Sequence, residues 1–404
     1  MESWKVNLIS VWFGCFFTGL AISQILPFLP LYISQLGVHS HEALSMWSGF
    51  TFSITFLVSA IVAPWWGSLA DRKGRKLMLL RASLGMAVTI LLQAYATNVW
   101  QLFILRGLMG LTSGYIPNAL ALVASQAPRE RSGWAISTLS TAQISGVIVG
   151  PLMGGILADN FGLRPVFLLT SALLMVSFLV TLFLIKERAR PVQSKADQLS
   201  GKAVFKALPY PFLIVSLCVT TLVIQLCNGS IGPILALFIK YLDPGSNNIA
   251  FMSGLIAAIP GIPALLAAPR LGRLGDRIGT DKILMGALIF AVVLFFSMSF
   301  VATPVQLAVL RFLLGFADGA MLPAVQTMLV KYSTEQVTGR IFGYNQSFMY
   351  LGNVVGPLMG ASVSALIGFR WVFVVTGVVV VLNILQFALV LRKRNQLAAA
   401  RRES

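Results

Sequence analysis

The chain is short of charge. Only 11% of its 404 residues are Asp, Glu, Lys or Arg, against 57% hydrophobic. A soluble domain of this size carries roughly a quarter charged residues. The composition excludes a water-soluble globule and leaves a multi-span, all-α membrane protein. Acids are scarcest, 13 against 30 basic residues. A net charge of +17 would suit a nucleic-acid partner if it formed one patch. The basic residues instead sit in short loops between apolar runs, so no nucleic-acid partner is expected.

Cysteine and histidine are equally sparse. Cys15, Cys218 and Cys227 lie in apolar runs and read as small core residues, not as a disulfide or metal framework. His39 and His41 share one loop with only Glu42 as a further ligand, so no metal site is expected. A phosphate-binding G-x-x-x-x-G-K-[ST] loop is missing: Lys202 follows Gly201, but position 196 is alanine. ATP-driven transport is thus unsupported. No nucleophile–base set stands out, so no enzyme and no cofactor are expected.

What the chain has is long apolar runs. Twelve are long enough to cross a bilayer: roughly 8–33, 47–69, 77–95, 100–125, 132–157, 165–185, 211–239, 249–270, 283–301, 305–329, 339–366 and 370–391. The first is too long for a signal-peptide core and reads as a retained span. The expected organisation is a six-helix bundle over 1–185, a polar linker over 186–210, a second bundle over 211–391 and a tail over 392–404. Lys and Arg concentrate in alternate loops and at both termini. The exceptions are Arg106 and Arg311 inside spans, and Arg164, Lys240 and Arg370 at the opposite ends, with Arg81 counted among the loop residues. This bias puts both termini in the cytoplasm.

The halves repeat. At a nearly constant offset Gly67 falls on Gly272, Asp71 on Asp276, Arg106 on Arg311, Gly110 on Gly315 and Gly114 on Gly319. Pro117 falls on Pro323, Gly146, Gly150 and Pro151 on Gly352, Gly356 and Pro357, and Arg164 on Arg370. Duplicated six-helix halves are the plan of transporters whose site lies between the repeats.

One acid, Asp318, falls inside a span, where a carboxylate is costly and tends to have a function. Its repeat counterpart is Ser113, so the duplication does not require an acid there. Arg311 is seven residues earlier, about 10.5 Å along a helix, too far for an easy pair. The acid therefore holds a proton or cation, or pairs with an arginine of another span. Gln24, Asn118, Gln143, Gln225, Asn228, Gln326, Tyr344, Asn345 and Gln346 punctuate other spans. Interhelical hydrogen bonds and a substrate cavity compete for them. Gln24, Asn118, Gln225, Asn228, Tyr344, Asn345 and the nearby Phe348 are the cavity candidates. Gly146-x-x-x-Gly150-Pro151-x-x-Gly154 makes a smooth stripe for close helix packing.

The segment Gly67-Ser-Leu-Ala-Asp71-Arg72-Lys-Gly74-Arg75-Lys76-x-x-Leu79 resembles the signature loop of the major facilitator superfamily. The second copy, around Asp276, departs at Thr280, which stands where the first has Arg75. The resemblance implies a cytoplasmic gate using Asp71, Arg75 and Asp276. The glycine stripe resembles the motif of proton-coupled antiporters, and Arg106 the intramembrane arginine of drug exporters. Met109 stands where those exporters carry glutamine.

Over its whole length the chain is similar to twelve-span drug:proton antiporters. That implies alternating-access export of amphipathic drugs across a bacterial inner membrane by a monomer, with the proton gradient as the sole energy source. Asp318 and Arg106 are then the coupling candidates, because Gln24 and no acid stands in the first span, where many relatives carry a carboxylate. A metabolite or sugar carrier, or a lysolipid flippase, of the same fold is the alternative.

Overall fold

The computed structural model describes residues 3–128, 131–187, 208–333 and 337–403, and within them not the side chains of Ser3, Asp71, Ser132, Gly133, Gly339 or residues 398–403. Most of the expected linker thus lies outside the described residues. The rest is helical, with no strand among the described residues.

Among the described residues, twelve helices are long and apolar enough to cross a membrane. In order, spans 1–6 are Trp4–Gln35, His41–Ala70, Arg75–Ala94, Val99–Gln126, Trp134–Phe161 and Leu163–Leu184. Spans 7–12 are Pro211–Leu242, Ile249–Ile278, Thr280–Met298, Pro304–Lys331, Arg340–Ile367 and Phe369–Leu397. Each expected run is present within a few residues, except that span 2 begins six residues earlier, span 8 reaches eight residues further and the last helix continues through Glu403. Arg394 holds that extension, bonding Tyr332 Oη at 2.8 Å and Asp281 Oδ2 at 3.2 Å.

Four spans contain breaks that apolar content does not reveal. Spans 1 and 7 break at Leu26–Phe28 and Gly232–Ile234, where Pro27 and Pro233 supply no backbone N–H. Span 8 breaks at Ile259–Pro260, and span 4 at Ser113–Gly114.

The chain forms two compact units: Met1–Gln193 with Gly232–Gly261, and Ser194–Ile231 with Ile262–Ser404. In the first, span 1 packs along spans 5 and 6, and span 3 along spans 4 and 6. In the second, span 7 packs along spans 11 and 12, and span 9 along spans 10 and 12. The sequence repeat is thus a packing repeat.

Glycine permits close helix contact at several of these places. A Cβ at Gly146, Gly150 or Gly154 would strike Phe16, Leu20 or Gln24 of span 1. Gly352, Gly356 and Gly360 meet Leu222, Leu226 and Ser230 of span 7 in the same way. Span 5 has a second close face. Gly155 lies on Ala250 and Phe251, and Gly254 on the Pro151 carbonyl, seating the start of span 8. Asp159 completes that seat by accepting from the backbone N–H of Ala250 (3.2 Å) and Phe251 (2.7 Å). A carboxylate suits the positive end of a helix.

Candidate functional site

Asp318 sits mid-way along span 10, an unbroken helix despite Pro323. It faces a pocket with about 10 Å³ of space, room for about one water molecule. Val223, Ile224, Cys227 and Asn228 of span 7, and Leu288, Ala291 and Phe295 of span 9, form most of the wall. Asn228 Nδ2 donates to Asp318 Oδ1 over a long 3.4 Å. Arg311 is buried on the same helix, and its Nε and Nη1 find no hydrogen-bond acceptor. The carboxylate thus stands in an apolar pocket with a weak neutral donor, and the wall offers too few oxygens to ligate a metal ion.

Of the second-half cavity candidates, only Asn228 reaches Asp318. Asn345 is buried and accepts from Thr221 Oγ1 at 2.7 Å. Gln225, Tyr344 and Phe348 are half-buried, Gln225 against Gly352.

The first unit holds a different polar core. Arg106 is buried, and its Nη1 points at Met109 Sδ at 3.8 Å, a poor acceptor. Gln93 Nε2 approaches the same sulfur at 3.9 Å. Arg106 Nε and Gln93 Oε1 have no partner. Gln24 is fully buried and accepts from Thr170 Oγ1 at 2.8 Å, while its Nε2 is unpartnered. With methionine at position 109, the arginine is short of acceptors.

At the Lys/Arg-rich loop between spans 2 and 3, Gly74 has φ +94°, a conformation suited to glycine. The side chain of Asp71 lies outside the described residues. Glu187, just past span 6, caps span 3: its carboxylate accepts from Arg75 N–H at 2.7 Å and Lys76 N–H at 2.8 Å. A Cβ on Gly74 would press on that carboxylate, which would have to shift to make room. Arg75 Nη1 donates to Asn118 Oδ1 at 3.3 Å, so a gate candidate and a cavity candidate meet. In the second copy Asp276 is exposed, in a cleft of about 120 Å³ with Gly272, Thr280, Pro323 and Thr327.

Replacing Glu187 by glutamine should weaken this cap by about 1 kcal/mol, the usual scale for a lost helix cap. Hydrogen exchange at Arg75 and Lys76 should speed up, and exchange at their parental rates would show that the cap is dispensable.

Glu187, Asp159 and Arg81 escape sequence reasoning. Glu187 and Asp159 lie at or just past the ends of their spans, and Arg81 resembles another loop cation. The one available signal is that Glu187 is an isolated acid in a basic stretch.

The sequence profile of the Major Facilitator Superfamily matches residues 11–243 and 217–404. Multidrug resistance protein MdtG of Escherichia fergusonii is 58% identical over 394 residues, covering 98% of this chain and 96% of that protein. MdtG of Klebsiella pneumoniae (strain 342) is 59% identical over 391 residues, covering 97% and 95%. Among solved structures, the chain resembles a bacterial homolog of the human lysosomal transporter Spinster in an inward-facing, occupied form, with TM-score 0.80, 16% identity and coverage of 95% and 96%. A point mutant of the nucleoside transporter NupG follows at TM-score 0.75, 14% identity and coverage of 95% and 99%. These two likenesses speak for the fold alone. Twelve spans in two repeated halves, the loop around Gly74 and the full-length matches together establish that the chain belongs to the Major Facilitator Superfamily.

Proposed function

We propose that the chain exports amphipathic drugs by proton-coupled antiport across a bacterial inner membrane, as a monomer with both termini in the cytoplasm. The observation that carries the coupling is Asp318, an acid in an apolar, water-sized pocket whose hydrogen-bond partner is the neutral Asn228. The MdtG relatives supply the drug class. Proton uptake from outside neutralises Asp318 and permits return to the inward-facing state. Drug binding from inside favours loss of the proton, and the halves rock outward. Coupling requires only that drug and proton prefer different states or compete. Arg106 assists from the first unit, and Asp71, Arg75 and Asp276 gate the cytoplasmic side. Apolar contacts give broad selectivity.

The test uses proteoliposomes with an acidic lumen. Drug should accumulate inside as protons leave, and drug added to purified protein should release protons. Drug movement indifferent to the pH gradient would sink proton coupling. Substrate moving in the same direction as protons would instead point to a metabolite or sugar carrier.

A further inference from the structure

Spans 4 and 10 hold equivalent places in the repeat, yet only one is broken. Span 4 consists of Val99–Thr112 and Tyr115–Gln126, joined through Ser113 in an extended conformation and Gly114 at φ +111°. Span 10 runs unbroken through Asp318 and Gly319 at the same positions. A break inside a membrane frees carbonyls that lipid cannot satisfy. Arg81, one residue type among many in the basic loop by sequence, lies in the second turn of span 3 and meets them. Its Nη1 donates to Leu111 O at 3.0 Å and its Nη2 to Ser113 O at 2.7 Å. Its guanidinium lies 3.8 Å from the centre of the Trp66 ring, whose Nε1 also donates to Leu111 O, at 2.9 Å. Ser59 Oγ is 3.1 Å from Gly110 O and 2.8 Å from Ser113 Oγ.

The repeat supplies an internal control. Ser59, Trp66 and Arg81 correspond to Ala264, Leu271 and Gly286, none with a side-chain donor. In that half Gly319 packs directly against Ala264. Break and clamp are present together in one half and absent together from the other.

We infer that Arg81 is a positioning residue of the transport cycle, holding the Ser113–Gly114 joint and so setting the direction of Tyr115–Gln126. That segment carries Asn118, which receives Arg75 Nη1. It ends at Gln126, bonded to Asn7 at 2.6 Å and to the Lys186 carbonyl at 3.3 Å. Movement at the joint therefore carries the gate arginine's partner and the start of the linker together. The inference rests on the transport reading above, but not on proton coupling or Asp318.

The experiment uses full-length protein in liposomes, with drug exchange driven by a drug gradient alone. Spin labels at the exposed positions Gln101 and Ala124 report the angle of span 4. Arg81→Ala loses both carbonyl bonds and should lower turnover at least about tenfold, the scale of even one lost charge-assisted hydrogen bond, with KM changed less than about twofold. It should also broaden the label distances. Arg81→Lys, able to reach one carbonyl, should fall between. If Arg81→Ala does not fold, Trp66→Phe keeps an aromatic ring and removes one donor; broadened distances with slower turnover are then expected. Parental turnover, or slowed turnover with an unchanged distance distribution, would overturn the inference in either variant. If the parent exchanges no drug, the transport reading fails, and the distances alone judge the clamp: unchanged on Arg81→Ala, they overturn it too.

Discussion

Asp318→Asn abolishes proton-driven drug accumulation in liposomes and leaves drug binding and folding intact: this is the largest functional effect expected of any single substitution. Asparagine has nearly the same shape and can still bond the Asn228 amide, so the pocket among spans 7, 9, 10 and 12 stays filled. What disappears is the ability to carry a proton. Charge at mid-membrane costs on the order of 3 kcal/mol or more, and protonation removes that cost. Such a difference between two states suffices to bias an alternating-access equilibrium. Gln24, bonded to Thr170 inside the first bundle, cannot take over, since an amide does not exchange a proton with water in this way. The measurement is drug-induced proton release and pH-driven uptake by parent and variant side by side. Undiminished efflux by Asp318→Asn would remove this side chain from the mechanism. Arg106→Ala offers a useful contrast: it removes a buried guanidinium whose Nη1 points at the Met109 sulfur, and should weaken coupling while leaving the Asp318 carboxylate in place.

Gly356→Val should yield almost no folded protein, and Gly150→Val the same. Even the first added atom at Gly356 would lie 2.9 Å from Leu226 Cα, and at Gly150 2.9 Å from the Leu20 carbonyl oxygen. These neighbours are backbone of a packed helix and cannot turn aside. Overpacking a core costs about 1–3 kcal/mol where side chains can yield, and more where they cannot. In lipid, moreover, close van der Waals contact is a main force holding helices together. Gly343→Val is the control: it lies on the same helix as Gly356, and nothing is within 4 Å of its added Cβ. Size-exclusion profiles and thermal melts of the three variants decide the point. A monodisperse Gly356→Val protein with a parental melting temperature would show that the stripe is not a tight contact.

Much of the architecture was legible before any coordinates. Twelve apolar runs, alternating basic loops and paired landmarks such as Arg106 and Arg311 need only one-dimensional patterns to be seen. Asp318 stood out for the same reason, as an acid in a run of hydrocarbon with serine in its repeat partner. The glycine stripes announced close packing, but not that span 5 has two such faces, one for span 1 and one for the start of span 8.

The polar residues within spans could not be sorted. Asn228, Asn345 and Gln24 look alike along the chain, yet one meets Asp318, one Thr221 and one Thr170. Glu187 caps a helix that begins more than a hundred residues earlier, and Arg81 bonds carbonyls about thirty residues away. The break in span 4 left no mark in apolar content, because Ser113 and Gly114 are ordinary in a membrane helix.

By itself, then, the sequence determined class, span number, duplication and the one acid to watch. Burial in lipid acts on composition, and composition is read residue by residue. The tertiary structure alone decided which polar group satisfies which. In a bilayer the backbone of a helix satisfies itself, but a side-chain donor or acceptor that bonds across a helix interface meets a partner chosen by rotation and packing of whole helices rather than by neighbours in the chain.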